Sequence, residues 1–264
     1  MKAQKTGGME VLELRAFTDN YIWLLLNQEE KRCAVVDPGD AQPVINWLNE
    51  HPQWTLSDVL ITHHHSDHVG GIDELKRQYN VRVIGPIPGS IPGLDLVVGD
   101  IDEVKVLGHV VRVIAVPGHT LDHVAFFLPG EQILFSGDTL FAAGCGRLFE
   151  GTAGQMLDSL ERLAALPDAT RVYCAHEYTL GNLHFAQAVE PDNKQIADRL
   201  IEVVSTRARG ACTLPSAIGL EKTTNPFLRT SVPAVRAASQ NHAQASIETP
   251  AACLQSLREW KNNF

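Results

Sequence analysis

Apolar side chains fall in short runs over the first two thirds of the chain. Residues 11–17, 21–26 and 32–36 are dense in β-branched and large apolar types, with the turn residues Asp19-Asn20 and 29–31 between them. Runs of this length bounded by turn chemistry predict three strands. Asp37-Pro38-Gly39-Asp40 is a turn sequence, and Val44, Ile45 and Leu48 then recur at helical spacing within 41–50. A further strand is predicted over 58–62. Gly70-Gly71 follows, and Ile72, Leu75 and Tyr79 predict a helix. Strands are expected over 81–85, 103–107 and 109–116, with Gly108 at the turn, and over 124–128 and 131–135 around Pro129-Gly130. Residues 86–94, rich in proline and glycine, read as irregular loop. Met156, Leu160, Leu163 and Ala164 mark one stripe of a helix over 153–166, and 171–175 is a last strand. From about Tyr178 the pattern changes: 183–189, 196–209 and 250–261 are helical in period and convincing strands disappear. The patterning predicts a β-rich domain over residues 9–176 and a helical domain over 177–264.

The candidate chemistry sits at the predicted strand ends. After the strand ending in Ile61-Thr62 comes His63-His64-His65-Ser66-Asp67-His68, the spacing H-x-H-x-D-H. Neutral imidazoles and a carboxylate suit Zn²⁺ and neighbouring first-row metals. Loops at the carboxyl ends of strands are where open α/β sheets place their sites. Three more strand ends carry metal-competent residues: His119 in Pro117-Gly118-His119-Thr120, Asp138 in Ser136-Gly137-Asp138-Thr139, and His176 in Ala175-His176-Glu177-Tyr178. A lone histidine is more often structural, and an aspartate after glycine is commonly a turn residue. The placement of all four segments together is what points to one metal centre.

Composition narrows the class. At 264 residues the chain is long enough for one or two domains, and a formal charge of −9 argues against a broad nucleic-acid or anionic-membrane partner. Cys33, Cys145, Cys174, Cys212 and Cys253 are odd in number and scattered, without C-x-x-C, which suits a reducing, cytoplasmic setting. Residues 1–8 lack an apolar core, so no secretory signal is expected, and Met9 immediately precedes the first strand-like run. Residues 1–8 are therefore read as an upstream start or an expression leftover.

T-H-x-H-x-D-H, then His119, Asp138 and His176, resembles the metallo-β-lactamase superfamily. Within it, Gly144-Cys145-Gly146-Arg147-Leu148-Phe149-Glu150-Gly151-Thr152, Cys174-Ala175-His176-Glu177-Tyr178-Thr179 and the helical tail are similar to glyoxalase II, the hydroxyacylglutathione hydrolases, from Met9 to Phe264. The resemblance implies an α/β fold, a four-layer αββα sandwich with a C-terminal α-helical domain. It implies hydrolysis of the thioester S-D-lactoylglutathione to D-lactate and glutathione, the second step of methylglyoxal detoxification, by a metal-bound hydroxide at a binuclear site. His63, His65 and His119 would hold the first ion, Asp67, His68 and His176 the second, and Asp138 would bridge, so that Asp67 and Asp138 carry catalysis. Zinc is the expected ion, with iron or manganese as alternatives. Arg147, Phe149, Tyr178, Arg258 and Lys261 would bind the glutathione moiety. The bland reading of Arg258 and Lys261 is the polar face of a terminal helix.

Three departures from the family pattern stand out. Phe149 replaces a frequent tyrosine, Ser66 an aromatic, and Asp122 a glycine. His64, His109, His123 and His184 are not expected as ligands, and Cys145 and Cys174 are expected to be structural. A monomer acting on a small-molecule glutathione thioester, with no nucleic-acid or membrane partner, is the expectation. A lactonase, β-lactamase or RNA-processing hydrolase on the same fold is the competing enzyme reading. A non-catalytic metal-binding or sensing module is the competitor from another class, but such a module should have lost ligands, and none is lost here.

Overall fold

The structure, a computed structural model, describes residues 4–6, 9–86 and 91–264. The rest of 1–8 and part of the irregular stretch 86–94 lie outside the described residues. The chain divides into two compact units, residues 1–115 with 122–137, and residues 116–121 with 138–264. This division follows packing, whereas a cut at 176 follows the change from strands to helices.

In the first unit, β1 (Gln4–Thr6), β2 (Met9–Ala16), β3 (Asn20–Asn27) and β4 (Arg32–Val36) pair antiparallel in sequence order. Two crossovers follow. α1 (Gln42–Glu50) leads to β5 (Thr55–Leu60), and α2 (Ser66–Val69) with α3 (Ile72–Gln78) leads to β6 (Arg82–Pro86) and on to β7 (Leu96–Val98). β4 to β7 are mutually parallel, with helical crossovers joining β4 to β5 and β5 to β6, and complete a seven-stranded sheet. Ile22, Leu24 and Leu26 of β3 join Val44, Ile45, Leu48, Ile72 and Leu75 of the helices in one buried cluster. Full burial of each such side chain contributes about 1.5–3 kcal/mol. Tyr21, Trp23 and Leu25 point to the opposite face of β3 and are also buried, so both faces of the sheet are covered.

β8 (Glu103–Val106), β9 (His109–Ala115), β10 (Val124–Leu128) and β11 (Ile133–Gly137) form an antiparallel meander. Gly108, at φ +84°, closes the first hairpin, a conformation that favours glycine. Asn27 Nδ2 donates to the Leu107 carbonyl and Arg82 Nη2 to that of Lys105, tying the meander to the larger sheet within this unit. β2 ends at Ala16, one residue before the expected limit, because Phe17 takes φ +50° and turns out to solvent.

In the second unit, β12 (Leu140–Phe141) and β13 (Gly144–Cys145) make a short hairpin, and α4 (Ala153–Ala164) begins at a capping box between Thr152 and Gln155. β14 (Arg171–Cys174) precedes α5 (Thr179–Val189) and α6 (Lys194–Ala208), whose N-terminus Asn193 caps. β15 (Ser216–Ala217), α7 (Ile218–Thr224), a 3₁₀ turn at Pro226–Leu228, α8 (Pro233–Ala243) and α9 (Pro250–Asn262) complete the chain. β15 pairs antiparallel with β14, which corrects the expectation of no strand beyond Tyr178. Leu183 and Ala186 of α5 and Ile196 and Val203 of α6 close on Ala143 in a second core.

Candidate metal centre

In the first unit the end of β5 delivers its donors as expected, with one difference. His63 and His65 lie on the loop, but Asp67 and His68 belong to the one-turn helix α2. Each ring is held from behind. Thr62 Oγ1 lies 3.1 Å from His63 Nδ1, and Asp37 Oδ2 lies 3.1 Å from His68 Nδ1. The Asp37 carboxylate itself accepts bonds from the Thr62 N–H and hydroxyl, both 2.8 Å. Those contacts turn His63 Nε2 toward His65 Nδ1 at 3.1 Å and His68 Nε2 toward the Asp67 carboxylate at 3.4 Å. Asn20 Nδ2 donates to Asp67 Oδ2 at 3.0 Å and fixes that carboxylate's orientation. Gly39 is required beside it, since a Cβ there would lie 1.8 Å from the Asp67 carbonyl oxygen.

In the second unit Asp138 lies just past β11 and presents one oxygen to each of two histidines. Oδ2 is 3.4 Å from His119 Nε2, and Oδ1 is 3.3 Å from His176 Nε2. A carboxylate used through both oxygens toward different donors is the arrangement a bridging ligand needs. His119 Nδ1 faces the Arg147 carbonyl at 2.8 Å, which turns Nε2 toward Asp138. His176 stacks on Tyr178 with centroids 4.8 Å apart and planes 2° from parallel. Gly146 packs so closely that a Cβ would meet the Asp138 carbonyl oxygen at 1.9 Å.

The spacings themselves test the fit to a metal. Ligand atoms on a tetrahedral ion at about 2.0–2.1 Å are about 3.3–3.4 Å apart along each edge. The four donor pairs above, at 3.1, 3.4, 3.4 and 3.3 Å, match that edge. His63, His68, His119, Asp138 and His176 are buried, and the described residues supply histidine and aspartate clusters of the kind that holds a divalent ion. The residues fit the cofactor.

Histidines not expected as ligands have other partners. His64 Nδ1 lies 3.0 Å from Oδ1 of Asp122, one of the three departures from the family pattern. Asp122 is buried rather than turned to solvent. His123 stacks on His63, centroids 4.6 Å apart, and His109 pairs with Glu131. Cys145 and Cys174 are buried, and burial pushes both thiols upward in pKa, which suits a structural role.

The residues expected at the substrate divide into two kinds. Arg147, Phe149 and Tyr178 are exposed, and the Phe149 ring meets His119 edge-on at 5.2 Å. Arg258 is buried, at 6% exposure, and its Nη1 donates to the Cys145 carbonyl at 2.8 Å. Lys261 is half-buried. Its Nζ reaches the Gly181 carbonyl at 3.2 Å, and burial, with the nearby Arg258 and Arg147 charges, pulls its pKa down to about 8.

Comparisons with known proteins agree with this geometry. Residues 17–176 match the model described as the metallo-beta-lactamase superfamily, and residues 177–264 match that of the hydroxyacylglutathione hydrolase C-terminus. A hydroxyacylglutathione hydrolase from Pseudomonas savastanoi pv. phaseolicola is 56% identical, over 97% of this chain and 100% of its own. The chain belongs to the hydroxyacylglutathione hydrolase family. Members of that family are thioester hydrolases, and this chain is an enzyme of that kind. The fold is the metallo-β-lactamase fold with a helical C-terminal region. ETHE1 from Myxococcus xanthus superposes with a TM-score of 0.66 at 24% identity, over 95% of this chain and 97% of that one. TTHA1623, solved in a di-iron-bound form, superposes with a TM-score of 0.57 at 25% identity, over 83% of this chain and 99% of that one. Among the described residues no helix is long and apolar enough to cross a membrane.

Two supporting residues of the hydrolase centre escaped the sequence reading. Asp37 and Asn20 stood in turn sequences and passed as turn residues. The signal was available for Asp37, which follows β4 as the ligand segments follow their own strands.

Proposed function

We propose that the chain hydrolyses S-D-lactoylglutathione to D-lactate and glutathione at a binuclear metal site. The observation that carries this reading is the Asp138 carboxylate facing His119 with one oxygen and His176 with the other, in a chain of the hydroxyacylglutathione hydrolase family. In this reading His63, His65 and His119 would hold one divalent ion and Asp67, His68 and His176 the second, with Asp138 as the ligand they would share. Zinc suits the nitrogen-rich set best, and iron or manganese are accommodated by the same ligands. The ions, when bound, supply Lewis acidity and an activated water. The chain's own residues do the rest. Thr62, Asp37 and the Arg147 carbonyl fix which ring nitrogens of His63, His68 and His119 face inward. Arg147 and Lys261 meet the anionic ends of glutathione, with Tyr178 and Phe149 along the peptide. Arg258 supports that surface from below. Residues 9–176 carry the metals and residues 177–264 bring Tyr178, Arg258 and Lys261. A monomer in the cytoplasm is consistent with five free cysteines.

The test is hydrolysis of S-D-lactoylglutathione by purified protein before and after chelation. Turnover should fall to background on metal removal and return with zinc, iron or manganese. Turnover that survives complete metal removal, or is absent from the metal-loaded enzyme, refutes the proposal.

Lys261 adds a pH signature. Its ammonium form predominates only below about pH 8, and an anionic end of glutathione is held by that form. Affinity due to this contact is therefore present below that pH and lost above it, where binding must also take up a proton. KM for the glutathione thioester should be higher for Lys261→Ala than for wild type at pH 7, and the ratio should shrink toward one above pH 8. A ratio that stays constant across that range would mean Lys261 does not touch the substrate.

A further inference from the structure

The second unit contains a buried polar cluster that the reaction as described does not use. Glu221 of α7 is fully buried. Its Oε1 accepts bonds from Arg199 Nη2 at 2.7 Å and from Ser216 Oγ. Its Oε2 turns the other way, accepting from the Ala143 N–H at 2.7 Å and from Asn225 Nδ2 at 3.0 Å. The Asn225 amide also donates to the Phe141 and Gly144 carbonyls, at 3.2 and 2.9 Å. On the other side Asn182 Nδ2 donates to the Ala142 carbonyl at 3.0 Å. Every residue from Phe141 to Gly144 is thus gripped through its backbone by a buried side chain from the helical region. Ala143 needs that grip, because it sits at φ +57°, left-handed backbone that disfavours a residue with a side chain. Burying so many polar groups is costly unless each finds its partner, and a packed apolar core would hold the helices as well. The cluster therefore asks for a reason beyond cohesion.

The reason lies in what the gripped segment leads to. Phe141–Gly144 forms the turn of the β12–β13 hairpin, and Gly146 and Arg147 follow directly. Gly146 rests on the Asp138 carbonyl, and the Arg147 carbonyl faces His119 Nδ1 at 2.8 Å. One short segment thus connects Arg147, a charge for substrate, to the ring of His119 and the backbone of Asp138. We propose that Glu221, with Asn225 and Asn182, positions this segment, and so sets where Arg147 meets the glutathione moiety. They are positioning residues, since none of them touches substrate in this scheme. The inference rests on the proposed hydrolysis of a glutathione thioester.

Glu221→Gln keeps the shape and removes an acceptor, so either Ala143 or Arg199 faces an amide N–H₂ in place of an oxygen. KM for S-D-lactoylglutathione should rise about tenfold, the scale of one charge-assisted bond, with kcat within about threefold. Metal content should stay at the wild-type value. Turnover of a simple thioester without the glutathione moiety should fall by no more than about threefold, because the isosteric change shifts the segment without freeing it. Thr224→Val supplies the comparison. It removes a partner of Arg199 in the same cluster and none of the hydrogen bonds described to 141–144, so it should lower Tm and leave KM alone. Asn182→Ala reads the same grip from the opposite side and should raise KM whether or not Glu221→Gln yields folded protein. Wild-type KM in Asn182→Ala, or in folded Glu221→Gln, overturns the proposal. So does an equal rise in KM for Thr224→Val at a matched loss of Tm, which would make the cluster a general stabiliser. Wild-type protein inactive on the glutathione thioester would instead refute the parent reading, and the comparison among variants would not arise.

Discussion

Asp138→Ala should lower kcat for the glutathione thioester by at least about a hundredfold, the scale of losing a principal electrostatic contact, while the protein remains folded. The carboxylate lies between His119 and His176, 3.4 and 3.3 Å from their Nε2 atoms, and nothing else among the described contacts of the second unit joins those two rings. Without it, on the proposed reading, two bound ions would lose the ligand that joins them. The strand that delivers Asp138 does not depend on the side chain. Ile133, Leu134 and Phe135 of β11 are fully buried, and β11 pairs with β10 in register through Phe126, Phe127 and Leu128. In metal-free protein the variant should melt no lower than wild type, because a buried carboxylate away from its ions carries a desolvation cost. Circular dichroism, metal analysis and steady-state kinetics on the same preparation check all three parts. Turnover within tenfold of wild type, or a variant without native ellipticity, would show that Asp138 has another role.

Most of the candidate site was legible in the chain because its residues sit where two signals coincide. A strand ends in a burst of apolar residues, and metal-competent side chains follow at once. His63 to His68, His119, Asp138 and His176 all have this form, and within each unit neighbouring donors lie 3.1 to 3.4 Å apart. The parts that escaped reading lack such a pattern. α8 buries only Val235 and Ser239, and α7 buries a glutamate, so neither shows an amphipathic stripe. β12, β13 and β15 are two residues each, below the length at which alternation can be seen. Asp37 and Glu221 act through backbone and side chains distant in sequence, 25 residues for Asp37 and Thr62 and 78 for Ala143 and Glu221. No local pattern records a partner that far away.

Arg258 shows the same limit at a substrate residue, and it yields the second large expected effect. Read as the polar face of a terminal helix, Arg258 and Lys261 look equivalent. In α9, however, Leu254, Leu257, Arg258 and Lys261 follow at i, i+3, i+4 and i+7, one stripe of the helix. Arg258 falls in its buried centre, donating to the Cys145 carbonyl and to Asn262 and lying 5.2 Å from the Phe227 ring centroid. Lys261 falls at its edge, over the rings of Phe185 and Phe264. The two alanine variants should therefore differ in kind. Arg258→Ala strands a buried carbonyl and removes a cation from an aromatic face, a loss of about 2–4 kcal/mol of stability. It loosens the segment that carries Arg147 and contacts His119, so activity should fall on the glutathione thioester and on a simple thioester alike. Lys261→Ala removes an ammonium that burial already disfavours, as its lowered pKa records. A lysine lowered in this way costs stability in full below about pH 8, and the cost falls away progressively as pH rises from there toward the ordinary lysine value of 10.5. Its removal should leave Tm unchanged or slightly raised at neutral pH, and should raise KM for the glutathione thioester alone. Thermal melts and kinetics on both substrates separate the two roles. A wild-type Tm for Arg258→Ala, or indifference of the simple thioester to it, would return that residue to direct substrate binding.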